Sequence, residues 1–396
     1  MTAASRILIT LAGLLVSSGL ALAADDGTCD GIPPPCIPAP VAPRPNANGQ
    51  AAAWVPSDDG PSGVTRVSTN AQLLYDKSRF TDLDNLIDRY SKLTDRFYDG
   101  RFKLIAIDDF FNQAFATPSG DGISLPDQLR KWHEINPRSP GEAIAETAYW
   151  MSSAWRARGN GFANTVSPEG WRLFKQRMRR AEQSLETSQS YAATTPVWYD
   201  DYLYVSLGLD KPIVERLKIY QRGIKAFPAY YPLHFGMLNS LLPKWGGSNE
   251  AVAAFIDAVA KRSSMPERDQ LYTRLWWYVD ENNGLDVNIF RDMGASWPRM
   301  KKGFESLHEA FPNSRWNQSN FASLACRAGD FITYKRLRAE LGTRIYVQAF
   351  PSNASLDVCD AQAAQPSQRQ HSAPRRQKPV ESEPHPVVTP TSLWIH

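Results

Sequence analysis

One signal recurs along this sequence and restricts its fold more than any other: a serine cap set ahead of apolar residues at helical spacing. Ser139-Pro140-Gly141-Glu142 reads as a capping box, with Ser at the N-cap, Pro at the first helical position and Glu reaching back. Behind it, Ile144, Thr147, Ala148, Met151 and Trp155 form a stripe along one helix face. Ser167-Pro168-Glu169 opens a second helix by the same logic, with Trp171, Phe174, Met178, Ala181 and Leu185 on one side. Ser248 caps a third, whose Val252, Phe255, Ile256 and Val259 fall at i, i+3, i+4 and i+7. The period-two alternation of half-buried strands is scarce, and Ile345-Tyr346-Val347 is a candidate short strand and little more. The expected fold class is all-α.

Proline marks where the helical pattern stops. Residues 24–66 hold Pro33, Pro34, Pro35, Pro38, Pro40, Pro43 and Pro45 and then Gly60-Pro61-Ser62-Gly63, the composition of an extended linker. Residues 361–396 are rich in Gln, Ser and Pro and read as a disordered tail. Between them, residues 67–342 form the expected helical domain and residues 343–360 a C-terminal extension. Thr195-Pro196 and Phe227-Pro228 lie 32 residues apart, and Phe311-Pro312 follows 84 residues later. Tetratricopeptide-type helix pairs repeat every 34 residues or so, with a proline after the second helix. Tyr220 and Gly223 stand where such repeats place an aromatic and a small residue. Phe304 matches the aromatic in the later copy, with Leu307 in place of the small residue. The pattern predicts a tetratricopeptide-like helical-repeat array, an α-solenoid with disordered proline-rich ends.

Three runs carry a resemblance to a known family: Trp155-Arg156-Ala157-Arg158-Gly159-Asn160-Gly161-Phe162-Ala163-Asn164, Leu241-Leu242-Pro243-Lys244-Trp245-Gly246-Gly247-Ser248, and Phe321-Ala322-Ser323-Leu324-Ala325-Cys326-Arg327-Ala328-Gly329-Asp330. With them the chain resembles an uncharacterised bacterial family built on a domain of unknown function, over roughly residues 70–342. The Trp-Gly-Gly-Ser stretch is the most specific part. The resemblance implies a tetratricopeptide-like helical array; it brings no activity and no catalytic residue to this chain.

The N-terminus reads as a secretory signal. Arg6 supplies the positive region, Ile7 to Val16 the apolar region and Ala21-Leu22-Ala23 a cleavage site, so residues 1–23 are expected to be removed near Ala23. No transmembrane segment is expected after cleavage, and the mature chain is expected to be periplasmic or secreted. Export permits disulfides. Cys29, Cys36, Cys326 and Cys359 allow three pairings, of which Cys29–Cys36 and Cys326–Cys359 are favoured here. Cys326 alternatively serves as a small buried apolar residue. There is no pair of cysteines at two-residue spacing and no His–Cys cluster, so neither a metal nor another cofactor is expected.

Charge excludes one class of partner. The net +3 comes from Arg6 and from the tail, where Arg369, Arg375, Arg376 and Lys378 outnumber Glu381 and Glu383. Residues 24–360 are neutral, and a surface built to neutralise many phosphates needs a basic excess, so nucleic acid is not an expected partner.

Several candidate sites remain. Trp155, Arg158 and Asn164 are candidates for lining the groove of the array, where an arginine can clamp a carboxylate or phosphate by two bonds. Gly159 also suits a left-handed helix cap, which explains the same residues structurally. Lys244 and Trp245 precede the cap at Ser248 as a candidate partner- or anion-binding turn, or as a simple loop packed at a helix junction. Arg172, Lys175, Arg179 and Arg180, with Arg177, fall opposite the Trp171/Met178 stripe, as a candidate basic face or an ordinary solvated one balanced by Glu169, Glu182 and Glu186. The acid sets Asp108-Asp109, Glu142/Glu146 and Asp200-Asp201 raise the question of a glycosidase, but adjacent acids on a helix point about 100° apart. His133 and His234 stand apart from any nucleophile pattern. The leading expectation is an exported, non-catalytic scaffold that binds a protein or peptide partner in the cell envelope. A hydrolase of cell-wall or other carbohydrate and an envelope-associated structural protein are the alternatives.

Overall fold

The computed structural model describes residues 58–115, 124–159, 161, 163–263, 267–282 and 287–365. The signal region, Cys29 and Cys36, most of the proline-rich linker and residues 366–396 lie outside the described residues. Among the described residues there are sixteen α-helices and no β-strand; the one β-type pairing is an isolated bridge between Arg96 and Phe102. The all-α fold is as expected. The candidate strand at 345–347 is not formed. Its Tyr346 N–H goes to Ser319 Oγ at 3.0 Å, and residues Val347–Ala349 close a single 3-10 turn. A three-residue extended run with no neighbouring strand has its backbone groups satisfied this way instead.

The chain divides into two compact units, where the sequence suggested one helical domain. The first combines residues up to 240 with residues 307–317. It contains α1 (Gly60–Asp76), α2 (Phe80–Ser91), α3 (Ile105–Ala114), α4 (Asp127–Ile135), α5 (Pro140–Arg158), α6 (Pro168–Ala192), α7 (Pro196–Gly208), α8 (Ile213–Ala226) and α9 (Pro232–Asn239). Helix α1 begins inside the stretch read as linker. Its Gly-Pro-Ser-Gly is the first helical turn, where proline loses nothing because that N–H has no helical partner. Just before it, the fully buried Asp59 accepts hydrogen bonds from Ser314 Oγ (2.7 Å) and from the N–H groups of Arg315 (2.8 Å) and Trp316 (3.0 Å).

Helix α5 is the centre of this unit and packs against α2, α3, α4, α6 and α7. Its partnership with α6 is antiparallel: Thr147 meets Ser184, Arg177 donates to Ser153 O, and the rings of Trp155 and Phe174 lie 5.0 Å apart. The expected stripe of α6 is its buried face, with Phe174, Met178, Ala181 and Leu185 all at 2% exposure or less. Small residues at the contact, such as Ala143 and Ala181, let two long helices run close together. Ser139 caps α5, Ser167 caps α6 and Ser248 caps α10 (Asn249–Arg262), each side chain accepting the N–H three residues on. Between α7 and α8, Gly223 faces Tyr199, and a Cβ there would sit 3.1 Å from the tyrosine's own Cβ. That is the close approach expected of a small residue in a helix pair.

The second unit comprises residues 241–306 and 318–365 among those described. It holds α10, α11 (Glu267–Asn282), α12 (Ile289–Asp292), most of α13 (Trp297–Ala310) and of α14 (Arg315–Arg327), then α15 (Phe331–Leu341) and α16 (Leu356–Ala364). Phe304 and Phe321 stack at 4.8 Å in its core, and Arg327 forms a buried ion pair with Asp280. Cys326 on α14 and Cys359 on α16 are joined by a disulfide, the favoured pairing. Helix α16 carries ordered structure to Ala364, beyond the expected start of the tail at 361.

Candidate functional site

The residues singled out from sequence turn out to be largely occupied with one another. Trp155 is 7% exposed. Arg158 lies over the rings of Trp155 (5.5 Å) and Trp171 (5.0 Å) and donates to the carbonyls of Gly159 and Gly161, both at 3.1 Å. A guanidinium sandwiched and hydrogen-bonded by its own loop closes the end of α5, the capping role weighed from sequence. Gly159 has the positive φ that role needs, although its ψ of 178° is extended where a left-handed cap was expected. Asn164 is exposed in a short 3-10 turn. In the second unit, Lys244 Nζ donates to Asn282 O at 3.0 Å, and Trp245 is half-buried. Gly246 takes a left-handed conformation (φ 84°), and a Cβ on Gly247 would overlap the Leu241 carbonyl. The Trp-Gly-Gly-Ser run is thus a turn built to deliver the Ser248 cap.

The basic helix is dispersed in the same way. Arg172 pairs with Glu169, Lys175 with Asp210 and the Gly208 carbonyl, and Arg180 lies 4.5 Å over the Trp150 ring. Arg179 is exposed. The face therefore presents less positive charge than its five basic residues imply.

The first unit instead assembles a group of acids that sequence reasoning kept apart. Asp108 comes from α3, Asp200 and Asp201 from α7, and Tyr230 from the turn before α9. Asp201 is 4% and Tyr230 3% exposed and Asp108 and Asp200 are half-buried, so the group forms a largely enclosed recess in which Asp200 Oδ1 and Asp201 Oδ2 are buried. Burial, then the charge of Asp109, pushes the Asp108 carboxyl up to about 7. Burial and Asp108 raise Asp200; burial, Asp108 and Asp200 raise Asp201; burial and the same three carboxyls raise the Tyr230 phenol. Asp200 Oδ1 and Asp201 Oδ2 have no hydrogen-bond partner. Gly236 on α9 makes the room, since a Cβ there would strike Asp200 Oδ1. Aromatic rings line the group: Phe102 lies 5.2 Å from Tyr230 and 5.5 Å from Tyr231, and its own ring carries the Arg96 guanidinium at 3.5 Å. The charges that act on the three carboxyls are other carboxylates, which is an arrangement that favours protons or a bound cation. Among the described residues, no group of three or more His, Cys, Asp or Glu side chains is set to hold a metal ion.

A sequence signal for this group existed. Helix α7, Pro-Val-Trp-Tyr-Asp-Asp-Tyr-Leu-Tyr-Val-Ser-Leu-Gly, is apolar nearly all round and mostly buried, with Asp200, Tyr202 and Tyr204 partly exposed, so acids in its middle have little solvated face to occupy. Neither Asp-Asp pair by itself encodes the electrostatic proximity of Asp108 to Asp200 and Asp201.

A second acid departs from its expected role. The Glu142 side chain does not reach back to the Ser139 N–H, which bonds Asn136 O instead. Glu142 is 2% exposed and meets the exposed His133 at 3.3 Å, and its burial pushes the carboxyl up to about 7. His234 accepts or donates at 2.8 Å with Tyr220 Oη, and burial pulls it down to about 4.

A family model described as a domain of unknown function (DUF4034) matches residues 69–181. The match holds the Trp155–Asn164 run and Asp108; the Trp-Gly-Gly-Ser stretch, the 321–330 run and Asp200-Asp201 lie beyond it. No curated protein and no solved structure matches the chain.

Proposed function

We propose that this chain is an exported, non-catalytic helical scaffold that binds a protein or peptide partner in the cell envelope and takes a basic side chain of that partner into the acidic recess. One observation carries the reading: Asp108, Asp200 and Asp201 stand together with carboxylates as their charged neighbours and with unpartnered oxygens on Asp200 and Asp201. A lysine or arginine tip supplies both the missing charge and the missing donors. The Cys326–Cys359 disulfide fits an oxidising compartment and so supports export, as do the signal-like features of residues 1–23. No helix among the described residues is long and apolar enough to cross a membrane.

The test is calorimetric titration with a lysine-containing peptide and its norleucine counterpart. The scaffold reading expects saturable binding of the first, at least tenfold weaker binding of the second, and a similar loss in Asp201→Asn. Equal binding of both peptides, or none of either, would refute it.

The hydrolase alternative has its own supporting observation. Asp108 keeps its proton to about pH 7 beside other carboxyls, as a general acid requires. Release of reducing ends from wall polysaccharide, abolished in a folded Asp108→Asn variant, would replace the scaffold conclusion. The envelope-structural alternative relies on the basic helix, where Arg172, Lys175 and Arg180 are engaged within the molecule.

A further inference from the structure

Helix α16 in the second unit is held to its neighbours by little besides one covalent bond. Of its nine residues only Cys359 and Ala363 are buried, at 0% and 5% exposure, while Asp357, Val358, Ala361, Gln362 and Ala364 are exposed. A cysteine and a methyl group cover little apolar surface. Its polar tie to α15 is Asp360, which accepts from Tyr334 Oη and pairs with Arg338 at 3.3 Å; that ion pair is partly exposed and so weak. A helix this short has no stability of its own in water. The Cys326–Cys359 disulfide therefore supplies most of what keeps α16 on α14 and α15.

The segments around the helix are anchored without it. Before α16, Ala349 and Phe350 are buried at 9% and 7% exposure and the Tyr346 N–H bonds Ser319 Oγ, so the chain is fixed as far as Phe350. Ser352 and Asn353 then lie exposed in a 3-10 turn, where a change of backbone angles disturbs no buried side chain. Helix α14 keeps Phe321, Leu324 and Ala325 at 3% exposure or less, and Phe321 stacks on Phe304. Helix α15 is seated by the buried Leu337 and Leu341 and capped by Asp330, whose side chain accepts from the Thr333 N–H at 3.0 Å.

We propose that Cys326–Cys359 is a redox latch, which docks α16 when oxidised and, when reduced, releases it from a hinge at 351–355 while α14 and α15 stay folded. The reductant is a dithiol. Its thiolate attacks one sulfur and displaces the other as a thiolate, and its second thiol then resolves the mixed disulfide. Two electrons and two protons pass to the protein, which ends with two thiols, and the reductant ends as its own disulfide. Cys326 and Cys359 are 4% and 0% exposed, so attack follows a local opening of α16, which its sparse contacts allow. Release uncovers the Cys326 thiol and frees the Tyr334 hydroxyl from Asp360. Nothing in this latch depends on the acidic recess, which belongs to the first unit.

The experiment treats the full chain with dithiothreitol at pH 8 without denaturant. Alkylation and peptide mass analysis read whether Cys326 and Cys359 have been reduced, and hydrogen–deuterium exchange reads which helices open. Residues 356–364 are expected to exchange at least tenfold faster after reduction, with peptides from α14 and α15 within twofold of the oxidised protein. A Cys326→Ala/Cys359→Ala variant is expected to exchange at the fast rate with or without dithiothreitol. Asp360→Asn with the disulfide intact is expected to stay within threefold of the parent. The proposal is overturned if the disulfide resists dithiothreitol without denaturant, or if 356–364 stay protected after reduction or in the double variant. It is equally overturned if α14 and α15 open together with α16, or if Asp360→Asn alone releases the helix.

Discussion

Replacing Asp108 by asparagine is expected to stabilise the protein above neutral pH and to have little effect near pH 4. In the fold this carboxyl holds its proton up to about 7, whereas in an unfolded chain an aspartate releases it near 4. Between those values the folded state binds more protons than the unfolded one, so stability falls as pH rises through the window. A displacement of that size corresponds to about 4 kcal/mol for a fully enclosed group. Asp108 is half-buried, and solvent on its open side lowers the figure to about 1–3 kcal/mol. Asparagine keeps the shape without the charge and escapes the cost. The assay is urea unfolding followed by far-ultraviolet circular dichroism at pH 8, 6 and 4.5, with the disulfide intact. Asp108→Asn should unfold at higher urea than the parent at pH 8, with the gap closing towards pH 4.5. Asp201→Asn should behave alike, and the double variant should gain less than the sum because the two carboxyls repel each other. If Asp108→Asn is less stable than the parent at pH 8, or the gap is the same at every pH, the recess is not a site of unrelieved negative charge and the argument for a cationic partner falls with it.

Three further outcomes test the frame around the site. Asp59→Ala removes a buried acceptor of three hydrogen bonds and should cost about 2–4 kcal/mol in thermal unfolding; an unchanged melting temperature would mean the residue belongs to a linker after all. Gly247→Ala drives a Cβ into the Leu241 carbonyl and should cost more than about 2 kcal/mol, whereas Gly246→Ala, strained only in its backbone (φ 84°), should cost about 1–2. Reduction of Cys326–Cys359, which spans 33 residues, should lower stability by about 3–4 kcal/mol on the chain-entropy account. A Cys326→Ala/Cys359→Ala variant should then be insensitive to reductant, and a parent protein equally insensitive would refute the stabilising role.

What could be read from the sequence was what short-range chemistry decides. Ser139, Ser167 and Ser248 cap helices because a hydroxyl three residues from an N–H needs nothing from the rest of the chain. The stripe on α6 was legible for the same reason. Side-chain partners drawn from elsewhere were not. Glu142 satisfies every local requirement of a capping box, yet His133 takes its carboxylate, and Asp84, 55 residues upstream, takes the Ser139 hydroxyl. Gly60-Pro61-Ser62-Gly63 has linker composition, and contacts with Phe97 and Trp316 make it a helix start. The acid group depends on the fold placing Asp108 of α3 within electrostatic range of Asp200 and Asp201 of α7, which no period in either helix encodes. The apolar surround of Asp200 and Asp201 was the one available sign that these acids are buried.

The two functional readings of the recess make opposite use of one proton, and pH separates them. A cationic side chain binds best when the proton on Asp108 is gone, because it then meets a full negative charge. Affinity for a lysine peptide should therefore rise as pH increases from 5 to 8, through the value near 7 at which Asp108 titrates. A general acid must still hold its proton, so hydrolysis would fall across the same window. Binding also reverses the effect on stability. A bound ammonium lowers the cost of the charged carboxyl, so saturating peptide should flatten the loss of stability between pH 5 and 8. Affinity that falls with pH, together with a slope that peptide leaves unaltered, would refute the scaffold reading. It would leave the protonated Asp108 as the feature that needs a chemical use.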